Sequence, residues 1–365
     1  MLKFKEWSTK FKILAVFLTI IYIGLWLIVG FTLGRKIAEA EIKTPIGALI
    51  NEDVLPAIAS TPNPINGVFY TENEAAAWQK RVPLAVMVEN HSLARPHSSI
   101  SKAEVVYEAL AEGGVTRFVV IFLANNSSKD LGPVRSARQY YFDWVREYGA
   151  AYAHWGGNEG VRAKAQAVFG SKDFDQFSIG APTFFRRPPY GEHSAYATTK
   201  GLWKVASSRG VNKPTKFVSW KFKEDSPAKK PKVTKITLGF EGRSDMVVQW
   251  KYDSKTNTYK RSNGGIVHKD KVYKKQLTAK TIVVQYVKDL GSKIVTGVFN
   301  RNFQTTGSNK VKIFRDGKVI DGKWKKKNVA ARTLFYDKKG KEIELNRGPI
   351  WIEIVPAGSS VSYKK

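Results

Sequence analysis

The chain has 365 residues, no cysteine, 43% hydrophobic and 12% aromatic residues, and a formal net charge of +29. This composition suits folded domains with their own cores; the absence of cysteine excludes a disulfide framework, a thiol nucleophile and a thiolate metal site. Charge is uneven: residues 201–365 hold 38 Lys and Arg against 13 Asp and Glu, whereas residues 1–200 hold 22 against 18. A lysine-dominated excess in one half points to diffuse contact with an anionic partner.

Residues 1–12 form a basic tail, with Lys3, Lys5, Lys10 and Lys12 against Glu6. Ile13 to Leu33 is then free of charge and, at about 1.5 Å per residue, long enough for a bilayer core of about 30 Å. The charge bias predicts a transmembrane signal anchor over 13–33, left uncleaved, with its N-terminus in the cytoplasm and the bulk of the chain outside. Residues 34–82, interrupted by Pro45, Pro56, Pro62 and Pro64, read as a stalk carrying one short helix at Glu72–Lys80.

An α/β domain is expected over 83–208. Leu84–Val88 and Phe118–Leu123 are apolar runs of strand length, and Ala150–His154 is a third. Ser101 and Glu104 fit a capping box, and the recurrence of Glu104, Glu108 and Glu112 at every fourth position suggests a helical face. Gly132-Pro133 marks a turn, with Ser136 as N-cap of a helix over 137–148. Further helices are expected at 158–169 and 200–208. Residues 209–234 read as a linker and 235–363 as a basic β-rich domain, an antiparallel sandwich or barrel. Its strands include 233–240, 246–252, 281–287, 293–299, 330–336, 341–345 and 349–355, with a hairpin at Asp316-Gly317 between 311–315 and 318–320.

The chemistry concentrates in the first domain. Arg117 enters a core strand, and Arg135 and Arg138 flank Ser136, where a helix N-terminus already favours negative charge. A planar guanidinium at a strand end calls for a carboxylate or phosphate. With Asn90, His91, Arg95, Glu108, His154, Arg186 and His193, these residues supply an arginine-lined anion pocket if their loops converge. The competing reading is internal salt bridging to Glu108, Glu112 or Asp143.

Several segments together resemble the YerB-like lipoprotein family: Pro64-Ile-Asn-Gly67, Arg81 to His91, Ala94-Arg95-Pro96, Tyr107 to Arg117, Gly132 to Arg138, His154-Trp-Gly-Gly157, Arg186-Arg187 before His193, Trp250 to Tyr259, and Gly322-Lys-Trp324. The resemblance implies a bacterial envelope protein of no agreed activity, normally held by a lipid-modified cysteine. Here an apolar anchor stands in its place. A fainter similarity to LytR-CpsA-Psr phosphotransferases implies phosphate binding only, since those enzymes typically show Arg-Asp where this chain has Arg135-Ser136.

The function expected from the sequence is therefore that of a membrane-anchored, extracytoplasmic protein. It binds a phosphate- or carboxylate-bearing ligand, and its basic β domain contacts an anionic phospholipid headgroup, wall polymer or glycan. Cytosolic nucleic acid does not fit this topology. An envelope enzyme using Glu89, Glu108 or His193 as acid or base, and a structural partner of another membrane protein, are the alternatives. No Walker loop, nucleophile elbow or zinc motif is present, the five histidines are scattered, and neither metal nor cofactor is expected.

Overall fold

Branched and aromatic runs become the strands of one long mixed sheet. The computed structural model describes residues 13–25, 58–295, 298–357, 359 and 361–364. The strands of the first half are β1 (Leu84–Glu89), β2 (Val105–Leu110), β3 (Thr116–Phe122), β4 (Ala151–His154) and β5 (Asp173–Asp175). Those of the second half are β6 (Lys235–Leu238), β7 (Val248–Asp253), β8 (Thr258–Asn263), β9 (Thr281–Val287), β10 (Gly307–Arg315), β11 (Lys318–Lys326), β12 (Leu334–Asp337), β13 (Ile350–Pro356) and β14 (Val361–Lys364). An α/β region thus precedes a β-rich one, and Ala59–Lys365 forms one compact unit.

The two regions share their main sheet, ordered β12-β11-β10-β9-β13-β2-β3-β1-β4-β5. Strand β13 lies parallel to both β9 and β2, with Glu353 in register with Glu108, so the last long strand of the chain joins the halves. Strands β6, β7, β8 and β14 belong to a second, antiparallel sheet. Helices α1 (Glu72–Gln79), α2 (Tyr141–Arg146), α3 (Glu159–Phe169) and α4 (Thr199–Ser208) complete the unit.

Several expectations are corrected. Glu104 to Glu112 is not a helical face, because Val105–Leu110 is a fully buried strand. A spacing of four falls on one face of a strand as well as of a helix, and the branched and aromatic Val105-Val106-Tyr107 decides for the strand. Ser136 caps no helix: α2 starts at Tyr141 with no side-chain cap, and Val134 bridges to Val88 in extended backbone. Gly132 therefore makes no tight turn; at φ 145° a Cβ there would stand 2.6 Å from the Val134 nitrogen. Of the strand expected over 293–299, residues 293–295 and 298–299 belong to two antiparallel strands, Asp289–Val295 and Val298–Phe303, and 296–297 lie outside the described residues.

Of the stalk expected over 34–82, residues 59–82 belong to the compact unit, where Ile65 and Trp78 are buried. The segment 209–234 belongs to the same unit and is anchored at Trp220, which is buried and whose Nε1 donates to the Thr333 carbonyl at 2.8 Å. Residues 13–25 form a helix, while the tail 1–12 and the rest of the expected span, 26–33, lie outside the described residues. Among the described residues no helix is long and apolar enough to cross a membrane.

Candidate functional site

The candidate residues separate into three groups, the first of which is buried apart from the half-buried Arg95. Glu108 has no solvent exposure and accepts from Arg261 Nη2 at 2.5 Å, from Thr116 Oγ1 at 2.7 Å and from Asn90 Nδ2 at 3.2 Å. Arg95 donates to Asn90 Oδ1 at 3.1 Å, and burial pulls its guanidinium down to about 10. The Arg261 guanidinium is packed 4.7 Å from the Trp351 ring, 5.5 Å from Phe118 and 5.7 Å from Trp250. Burial, and then the Glu108 charge, raise the Glu353 carboxyl well above the usual range, so this neighbour is protonated. Asn90, Arg95 and Glu108, expected to face a ligand, thus form a polar core in which Glu108 is paired with Arg261 of the second half.

A hydrogen-bond chain leaves this core. Arg261 Nη1 donates to His268 Nδ1, His268 Nε2 donates to His97 Nδ1 at 2.7 Å, and His97 Nε2 donates to the Glu89 carbonyl at 2.5 Å. The direction is assigned because a guanidinium only donates and a carbonyl only accepts. Burial drives His97 down to about 3 and His268 well below the usual imidazole range, so both rings are neutral. The chain ends on Glu89, the last residue of β1.

The second group is closed by a carboxylate. Arg138 meets Glu112 through two bonds, Nε to Oε1 at 2.5 Å and Nη2 to Oε2 at 2.6 Å. Arg117 Nη2 lies 3.6 Å from the same carboxylate, and its Nη1 donates to the Ser136 carbonyl at 2.9 Å. Burial works against the Glu112 charge, but the Arg138 bonds and the Arg117 charge outweigh it and hold the carboxyl below its usual range. Internal pairing therefore accounts for Arg117, Ser136 and Arg138.

The third group assembles at the end of β1. Glu89, 7% exposed in its side chain, accepts from His193 Nδ1 at 2.9 Å and lies 3.4 Å from Arg135 Nε. The His91 and His193 rings stack at 4.9 Å and 3°. His91 Nδ1 accepts from Leu93 N–H at 3.2 Å, leaving Nε2 to carry the ring proton. No bond to His193 Nε2 occurs among the described residues. Arg135 Nη2 is paired at 2.8 Å with Glu192, whose side chain is 74% exposed. Arg186 braces this loop, donating to the Gly191 carbonyl and, at 3.0 Å, to Ser194 Oγ.

His154 stands outside all three groups. It is fully buried, 2.9 Å from Asp173 Oδ1 and 2.8 Å from the Gly156 carbonyl, which orients a structural imidazole. No cluster of His, Asp and Glu suited to a metal ion occurs among the described residues.

Arg261, His268, Asn263, Glu353 and Glu192 escape the sequence reading. Strand alternation carried a signal for two of them: in β8, Tyr259, Arg261 and Asn263 are the buried positions. Nothing local marks Glu353 or Glu192 as partners of residues far away in the chain.

Comparison with known proteins agrees with this architecture. Residues 70–212 match the N-terminal domain, and residues 236–352 the C-terminal domain, described as "Protein of unknown function (DUF3048)". The putative lipoprotein YerB of Bacillus subtilis (strain 168) is 30% identical over 293 residues, covering 78% of this chain and 85% of the relative. The crystal structure of YerB from Bacillus subtilis is similar with a TM-score of 0.72 at 27% identity, covering 83% of this chain and 100% of that one. The chain belongs to the DUF3048 family of YerB-like proteins, a family of unknown function.

Proposed function

We propose that this chain is an extracytoplasmic envelope protein, held at the membrane by its apolar N-terminal segment, that binds a phosphate or carboxylate group at the end of β1. The name of its lipoprotein relative and the uncharged run over 13–33 support the location. The observation that carries the binding reading is the Arg135–Glu192 pair. An exposed loop carboxylate is bonded to Nη2 of a guanidinium that is itself only 25% exposed and whose Nη1 donates to the Glu192 carbonyl, beside the stacked His91 and His193. A ligand oxyanion displaces Glu192, takes its place on Arg135 and accepts from His91 Nε2. The basic second half adds attraction toward anionic envelope components.

Calorimetric titration of the full chain with inorganic phosphate and with acetate tests this. Arg135→Ala removes a charge-assisted bond worth roughly 1.5–3 kcal/mol, which is about a ten- to hundredfold loss of affinity. Equal binding by the wild type and Arg135→Ala rejects the site. A second reading, an envelope enzyme, draws on the Glu89–His193 bond, which orients an imidazole with Nε2 left for proton transfer. Turnover of a phosphorylated glycan that disappears in His193→Gln, with binding retained, would favour it.

A further inference from the structure

The other end of the main sheet holds a second cationic feature, four strands removed from the first. β10, β11 and β12 form a groove of about 920 Å³, whose lining includes Lys310, Lys323, Lys325, Lys338, Tyr286 and Tyr336. Strand alternation sorts β11: Trp324 and Lys326 are buried, while Lys323 and Lys325 are exposed on the opposite face. Lys310 is directly opposite Lys323, and Lys323 directly opposite Tyr336, so one row across three strands reads Lys-Lys-Tyr.

Like charges placed directly opposite destabilise a sheet. Of the groove lysines, Lys312 is compensated by Asp321 at 2.5 Å, and Lys325 stands 5.1 Å from the Tyr336 ring centroid. Lys310, Lys323 and Lys338 have no ion pair among the described residues. Two opposed lysines of the sheet, Lys310 and Lys323, and Lys338 in the turn after β12 are thus uncompensated in a concave surface, where low-dielectric walls focus the positive field.

We propose that this groove binds a linear polyanion bearing a phosphate or carboxylate on each repeating unit, such as an acidic wall-type polymer. Lysine supplies point charges rather than planar forks, which suits a chain held in variable register. A trough matches a strand-like polymer better than a flat bilayer. With Lys325 over the Tyr336 ring, one aromatic face is already covered, which disfavours a platform for stacking bases.

The test is binding of the full chain to inorganic polyphosphate over a range of salt concentrations, with Lys310→Gln/Lys323→Gln/Lys338→Gln beside it. The wild type should bind with a steep salt dependence, and the triple variant should lose about two to three from the slope of log K against log salt, by analogy with counterion release from nucleic acids. The matching arginine variant should keep the binding, and Arg135→Ala should leave it unchanged, which separates the groove from the β1 site. Removing the opposed lysines should not lower the unfolding midpoint, so a weakened variant is not merely an unfolded one. Unchanged binding by the glutamine variant overturns the proposal, as does preference for oligothymidylate or for phosphatidylglycerol vesicles over polyphosphate.

Discussion

Replacing Arg261 by Met is the sharpest test of how the two halves are joined. The substitution keeps an unbranched side chain among Trp351, Phe118 and Trp250 but removes the 2.5 Å pair with Glu108 and the donors to Asn263 and His268. Glu108 retains Asn90 and Thr116 as donors, yet its charge is left at zero exposure without a direct ion-pair partner. Breaking a buried pair from one side costs about 3–5 kcal/mol. That is a large share of a typical total stability of roughly 5–15 kcal/mol, and for a unit of this size it corresponds to a fall of about 5–8 °C in melting temperature. Urea unfolding followed by tryptophan fluorescence measures it. Because the penalty comes from the orphaned charge, adding Glu108→Met should recover part of the loss. A loss under about 1 kcal/mol in Arg261→Met, or a double variant as unstable as the sum of the two single ones, would refute the reasoning.

Proton linkage gives a second expectation. His97 and His268 stay neutral when folded, whereas the unfolded chain takes up protons near pH 6.5, so these residues withdraw stability as the pH falls. Glu104 acts in the opposite sense: burial raises its carboxyl to about 7 against the pull of backbone N–H donors at 123, 124 and 125. It holds a proton that the unfolded chain releases above pH 4.5, and therefore withdraws stability as the pH rises through about 7. Glu104→Gln should make stability fall more steeply, by about 1.4 kcal/mol per unit, on acidification from pH 6.5 to 4.5. Denaturant midpoints that track the wild type across that window would contradict this. Gly322→Ala should cost at least about 2 kcal/mol, because a Cβ would stand 2.0 Å from the Tyr336 carbonyl oxygen and force β11 from β12; thermal unfolding reads this, and an unshifted midpoint refutes it. Glu192→Gln should raise phosphate affinity several-fold by freeing Arg135, and unaltered titration isotherms would argue that Glu192 blocks nothing.

Much of the fold is legible locally. The apolar runs 84–88, 118–123 and 281–287 are strands, and Asp316-Gly317 turns β10 into β11. What escapes is long-range. Insertion of β13 between β9 and β2 depends on pairing between residues some 250 positions apart, for which neither period nor turn chemistry provides a sign. The site follows the same division. Arginines at strand ends announce that counterions are needed, but whether a ligand or Glu112 supplies them is decided by the meeting of distant loops. Glu108 shows the limit most clearly: its spacing from Glu104 and Glu112 fits two structures equally, and its partner Arg261 lies in the other half of the chain.

The oxyanion site is tested most directly by a phosphate titration followed through the ring resonances of His91 and His193 in the wild type, Arg135→Ala and Glu192→Gln. Both rings should show saturable shifts in the wild type, shifts at lower phosphate in Glu192→Gln and none in Arg135→Ala. Rings that do not respond to phosphate, or that respond equally in all three proteins, would contradict an oxyanion site at the end of β1.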